Sequence, residues 1–183
     1  MNIFVLDEDP AKAAVALNNN HICKLSVEAA QLLCNVHHWQ GVDAPMRETH
    51  INHPCSIWVR SSLCSYLWTL DHAFAICYEA MRRGFKEPKT LQTLKWLRDN
   101  EPFLPDKDVP FALAMPDDCK TGNAVESYRC YYNTKRFRID GKRMDKWTNC
   151  SPPDWWLSDE EFLATPTSRP SWLAVKELLR KEK

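Results

Sequence analysis

The fold is decided by residues 53–84: His53-Pro-Cys-Ser-Ile-Trp-Val-Arg60-Ser-Ser-Leu-Cys-Ser-Tyr-Leu-Trp-Thr-Leu70-Asp-His-Ala-Phe-Ala-Ile-Cys-Tyr-Glu-Ala80-Met-Arg-Arg-Gly84. Ile57, Trp58, Leu63, Leu67, Leu70, Phe74 and Cys77 recur at helical spacing. Pro54 fits the first turn of a helix, and Gly84 fits the position just past its end. The pattern predicts one helix of about 30 residues, about 45 Å long at 1.5 Å per residue, around which the rest of the chain packs.

Upstream, residues 21–39 predict a second helix with two stripes. Ile22, Leu25, Ala29, Leu32, Leu33 and Val36 form an apolar face. Beside it run His21, Lys24, Glu28, Gln31 and Asn35. An imidazole, an ammonium and a carboxylate at the edge of a core can hold a ligand. The same layout also fits a solvated face in which Lys24 and Glu28 are a routine i,i+4 pair.

Working outward, Ile3–Leu6 reads as an edge strand or a buried terminus. Asp9-Pro10 opens a short helix over 10–17, interrupted by Asn18, Asn19 and Asn20. Residues 40–52 form a loop with Arg47, His50 and Asn52, and a fourth helix covers 88–98. Pro102, Pro105, Pro110 and Pro116 make 99–122 irregular. Asn123 and Glu126 cap a helix to about Thr134, Asp140-Gly141 is a turn, and Ser158–Glu161 caps a short helix. An amphipathic helix closes the chain. The expectation is a mainly α, single-domain fold over 1–183, with one long central helix and a peripheral C-terminal helix over 170–183.

The chain has 183 residues, zero formal net charge and only four Gly against eight Trp. That length can bury a substantial core, and global charge names no partner. Its eight cysteines contain no C-x-x-C pair, so no zinc-ribbon spacing exists. Cys23, Cys34, Cys64 and Cys77 fall on predicted helices, where a free thiol acts as a small hydrophobe. The N-terminus lacks the basic and apolar regions of a signal peptide, and no run approaches a membrane span. We therefore expect a reduced, cytoplasmic protein without a membrane partner.

Charge is instead local. Arg129, Lys135, Arg136, Arg138, Lys142, Arg143 and Lys146 interleave with Tyr128, Tyr131, Tyr132, Phe137 and Trp147. Cations suit phosphates and aromatic faces suit unstacked bases, although a solvated basic face anchored by tyrosines would read the same way. His37, His38, His50 and His53 lack a carboxylate at ligand spacing, so no metal site is expected. His53, next to the start of a helix, is a candidate phosphate donor.

Two family resemblances follow from these residues. The runs Asn2–Asp7, Lys24–Leu33, His53–Arg60, Ala114–Pro116 and Ser127–Arg129 resemble a family of small tailed-phage proteins, which brings no assigned activity. More distantly, the chain resembles the phage pyrimidine-dimer DNA glycosylase, endonuclease V. His21 and Glu28 stand at that family's His-to-catalytic-Glu spacing. Arg82-Arg83-Gly84-Phe85 is similar to its basic-Gly-Phe turn, and Tyr128–Lys135 to its aromatic-basic segment. Asn2 stands where the family exposes Thr, and Val27 and Gln31 stand where it carries Arg.

The resemblance implies an endonuclease V-like helical fold and a DNA glycosylase/abasic-site lyase needing no cofactor. An N-terminal amine, on Asn2 or on a retained Met1, would attack C1′, and Glu28 would act as acid/base. His21 and Lys24 would assist. Arg60, Arg129, Tyr131, Tyr132, Lys135, Arg136 and Arg138 would meet DNA, in the host cytoplasm if the chain is phage-encoded. A base- or nucleotide-modifying enzyme and a non-catalytic DNA-binding or host-interaction module remain as alternatives, and the oligomeric state stays open.

Overall fold

The computed structural model describes residues 1–138 and 140–181. It is mainly helical, and among the described residues the only β-pairing is an antiparallel bridge between Phe137 and Arg143. The C-terminal helix is described to Lys181, so Glu182 and Lys183 of the expected element lie outside the described residues.

Most of the helices start where a side chain satisfies free backbone N–H groups, although the one at Thr90–Asp99 has no such cap. Asp9 accepts from Ala11 N at 2.8 Å and Lys12 N at 3.3 Å, and with Pro10 it launches α1, Pro10–Val15. Asn18 accepts from His21 N at 3.0 Å and caps α2, Asn19–Trp39. Asn19 and Asn20 therefore belong to the first turn of α2 and do not break it. All six residues of the predicted apolar stripe on α2 are buried.

The helix expected over 54–83 is two helices, α3 (Pro54–Val59) and α4 (Leu63–Arg82). The break falls on Arg60-Ser61-Ser62. Ser61 Oγ donates to Trp58 O at 2.7 Å, ending α3, and extended Ser62 accepts from Ser65 N at 3.1 Å, starting α4. Serine competes for backbone groups in this way, and a pair of serines makes a break easy. Ile57 and Leu67 are exposed, against expectation.

Gly84, at φ +90°, ends α4 in a Schellman motif. Phe85 N donates to Ala80 O and Gly84 N to Met81 O. Arg83 is buried there, giving Leu17 O a 2.7 Å bond, Val15 O a 2.8 Å bond and Glu79 Oε1 a 2.7 Å bond. It ties the end of α4 to the α1–α2 junction.

α4 packs against α1, α2, α3 and α5 (Thr90–Asp99). Ile3–Leu6 is a buried terminus within this core, with no strand pairing. The proline-rich segment lies over it: Leu63 N donates to Pro105 O, Trp58 Nε1 to Val109 O and Tyr128 Oη to Ala112 O. A 3-10 turn (Asp117–Cys119) leads to α6, Ala124–Tyr132.

A second, smaller core joins Cys119, Phe162, Trp172, Val175 and Leu179. It is built by α7 (Asp159–Ala164), which opens with a Ser158–Glu161 capping box, and α8 (Pro170–Lys181). Tyr131 and Phe137 pack on it from the basic segment. Cys34 and Cys77 are buried as expected, but Cys23 and Cys64 are exposed, the Cys64 thiol donating to Asp106 Oδ1 at 3.3 Å.

Candidate active site

Among the described residues the N-terminal segment joins no strand, and the Asn2 side chain anchors it. Its Nδ2 donates to Ala114 O at 2.7 Å, and its Oδ1 accepts from Phe4 N at 3.0 Å. The latter bond closes a tight turn in which Phe4 has φ +41°, a left-handed conformation that is costly for an aromatic residue. The turn aims the backbone nitrogens of residues 1 and 2 at α2.

There they meet Glu28. Asn2 N donates to Glu28 Oε2 at 3.2 Å, and the Met1 amine lies 3.8 Å from the same oxygen. Lys24, one turn earlier on α2, places Nζ 3.3 Å from Oε1. Both carboxylate oxygens thus face nitrogen groups, while the side chain keeps about a fifth of its surface open (21%).

This carboxylate lines a cleft of about 830 Å³, with Met1, Asn2, Phe4, His21 and Lys24 on one side and Tyr131, Lys135, Phe137 and Arg138 on the other. Lys135 Nζ donates to Tyr131 Oη at 2.6 Å, and Tyr131 stacks on Phe4 with ring centroids 5.9 Å apart. Lys24, Lys135 and Arg138 supply positive charge around an aromatic wall, against Glu28 and Asp140. Such a surface suits a phosphate-bearing ligand with flat rings.

His21 shares the cleft wall but is not a cation. Burial, with the charges of Lys24 and Lys135, pulls its pKa down to about 3. Tyr132 Oη accepts from Asn18 N at 3.0 Å and lies 2.6 Å from His21 Nδ1, so the hydroxyl proton points at Nδ1. That leaves the imidazole neutral with its proton on Nε2.

The remaining residues expected at the site scatter. Tyr132 is fully buried and cannot stack on a base. Arg136 is also buried; it bonds Leu157 O at 2.6 Å and Asp159 Oδ1 at 3.0 Å and lies over the Trp156 and Phe162 rings. Its charge is neutralised internally, so it joins α6 to α7 and does not face a phosphate. Arg129 lies in a separate hollow, bonded to Leu6 O at 2.8 Å and paired with Asp7. Arg60 donates to Ile51 O at 2.5 Å and covers Trp39, pinning the 40–52 loop. His53 caps α3, its Nδ1 accepting from Cys55 N. Asn35 leaves the polar stripe for the interior, where it holds Thr49 and Ser56.

Sequence reasoning missed Phe4, Asn20 and Met144 as cleft residues. Phe4 was indistinguishable from the core residues beside it in an apolar run. Met144 enters through the turn after Arg138, which no local pattern connects to α2.

The helical scaffold thus presents terminal backbone nitrogens to a carboxylate inside a basic aromatic cleft. Residues 1–93 match the pyrimidine dimer DNA glycosylase family. The match covers half of the chain, and the chain belongs to this family, with a glycosylase-like function and DNA as the partner that family implies. The matched stretch contains Asn2, His21, Lys24, Glu28 and Arg60, and stops before the basic aromatic wall. No curated protein and no solved structure matches the chain. Among the described residues, no helix is long and apolar enough to cross a membrane.

Proposed function

We propose that the protein is a DNA glycosylase/abasic-site lyase acting on pyrimidine dimers through a terminal amine and Glu28. The observation that carries this reading is the approach of Met1 N and Asn2 N to Glu28 Oε2, at 3.8 and 3.2 Å. A terminal amine attacks C1′ of the damaged nucleotide, and the N-glycosidic bond breaks with its electron pair leaving on the base. The nitrogen then loses a proton and forms an iminium with the opened sugar. Glu28 takes the C2′ proton, and the electron pair released expels the 3′ phosphate by β-elimination.

Where Met1 is retained, its amine takes this role. Removal of Met1 would transfer that role to the Asn2 nitrogen, already bonded to the carboxylate. Lys24 holds Oε1 and so orients the base, while Lys135 and Arg138 take phosphates and Tyr131 with Phe4 accepts an unstacked ring. His21, neutral, contributes a polar N–H and a fixed wall.

Borohydride trapping on duplexes carrying an abasic site or a cyclobutane dimer tests this. The expected result is a covalent adduct mapped to the terminal residue, with strand cleavage lost in Glu28→Gln. Salt-sensitive binding without any adduct would overturn the mechanism and leave a DNA-binding module.

A further inference from the structure

Tyr132, the last residue of α6, is too deep to meet DNA, yet it reaches the cleft through His21. Its Oη accepts from Asn18 N at 3.0 Å and lies 2.6 Å from His21 Nδ1. Asn18 also holds the other partner, its Oδ1 accepting from His21 N at 3.0 Å. Neither ring can turn away from the contact. Phe4 meets Tyr132 edge-on at 5.1 Å between centroids and covers His21 at 4.9 Å. Trp155 and Trp156 close on Tyr132 from 6.0 and 6.1 Å.

This geometry selects one tautomer. A buried phenol proton needs an acceptor, and the imidazole Nδ1 is the one beside it. The reverse arrangement, with Nδ1–H donating, would bring two donors to the phenol oxygen and leave its own proton facing the core. The role of one imidazole nitrogen is set by the bond the other makes. With Nδ1 turned to Tyr132, the edge of the ring that carries Nε2 is left for the cleft that His21 lines. A neutral Nε2–H there welcomes an oxygen and rejects a donor.

We infer that Tyr132 is a positioning residue, which fixes His21 as an Nε2–H donor to the sugar ring oxygen of the damaged nucleotide. The inference rests on the glycosylase reading. When the nitrogen bound to C1′ gives its electron pair to form the C=N bond, the C1′–O4′ bond breaks and its pair passes to O4′. The Nε2–H bond stabilises the charge that grows there, and the proton stays on His21. The proton that the nitrogen released reaches O4′ through solvent. Tyr132 touches neither substrate nor reacting atoms; it acts by denying His21 the other tautomer.

The test uses nitrogen-15 NMR of the full chain with labelled histidine. His21 should show an unprotonated Nδ1 and a protonated Nε2. A duplex carrying a tetrahydrofuran abasic analogue, which keeps the ring oxygen but cannot form the iminium, should move the Nε2–H resonance on binding. A protonated Nδ1, or DNA binding that leaves Nε2–H unmoved, would overturn the proposal. In Tyr132→Phe the ring packing stays and the hydroxyl goes. The His21 spectrum should then show mixed tautomers, and single-turnover cleavage of abasic DNA should slow by about tenfold, the worth of one hydrogen bond. Mixed tautomers with an unchanged rate would also overturn it. A native chain that shows the Nε2–H shift but never cleaves would confirm the donor and sink the glycosylase reading instead. The native spectra need no variant, so a folding defect in Tyr132→Phe cannot obscure them.

Discussion

The backbone nitrogen of Asn2 and the Oε2 atom of Glu28 are 3.2 Å apart, although 26 positions separate the residues in sequence. The contact is held from both ends. The Asn2 side chain is anchored to Ala114 O, and Glu28 is held on α2 by Lys24. On the proposed mechanism, this pairing sets both the position of the amine and the direction of the base.

Asn2→Ala should lower single-turnover cleavage of abasic DNA by about tenfold, roughly 1.4 kcal/mol of barrier, because the turn that aims the terminus loses two hydrogen bonds. DNA affinity should stay within about twofold, since the side chain bonds only to protein. Quench-flow rates beside fluorescence-anisotropy titrations separate the two effects. An equal loss in both would show that Asn2 matters for binding instead.

Lys135→Ala and Arg138→Ala should each reduce the slope of log affinity against log salt by about 0.9, the value for one lost phosphate contact. Arg136→Met should leave that slope unchanged and lower stability by about 3 kcal/mol or more, because it strips a buried cation from Asp159 and Asp145. Titrations at several salt concentrations and urea unfolding make the comparison.

Stability should fall on acidification well before the carboxylates titrate. Burial lowers His21 to about 3 and His72 to about 4, and His72 Nε2 is buried without a partner. Below about pH 6.5 the unfolded chain binds protons that the folded chain refuses, so folding is progressively disfavoured down to the folded pKa values. By pH 5 each of these histidines costs about 2 kcal/mol relative to neutral pH. Urea denaturation from pH 7 to pH 5 should show the decline, and His72→Gln should remove about 2 kcal/mol of it.

Arg83→Leu should destabilise the fold by about 3–5 kcal/mol while leaving the salt dependence of DNA binding intact. The guanidinium is buried, and its loss frees Leu17 O and Val15 O and takes one of two arginine partners from Glu79 Oε1. Chemical denaturation measures the first effect. A reduced salt slope would instead place Arg83 at the DNA.

Glu28 and Lys24 could be found in the sequence because helical periodicity puts them beside a core stripe, and the turn at Gly84 because its residue type announces a positive φ. The serine pair that divides 54–83 was on view too, but its effect depends on competition. An apolar period across the gap favoured continuity, and docking of Pro105 O on Leu63 N supports the new start. Among the basic residues the sequence had no means of choosing. Arg136 and Arg138 are two positions apart, yet one is buried among Asp159, Trp156 and Phe162 and the other is exposed in the cleft.

By itself, then, the sequence determined the mainly helical architecture, the amphipathic face of α2 and the carboxylate on its edge, since these follow from local periodicity and capping chemistry. The tertiary structure alone decided which cations face outward and that His21 is neutral. Charge exposure and desolvation depend on which distant segments pack together, and no local spacing encodes them.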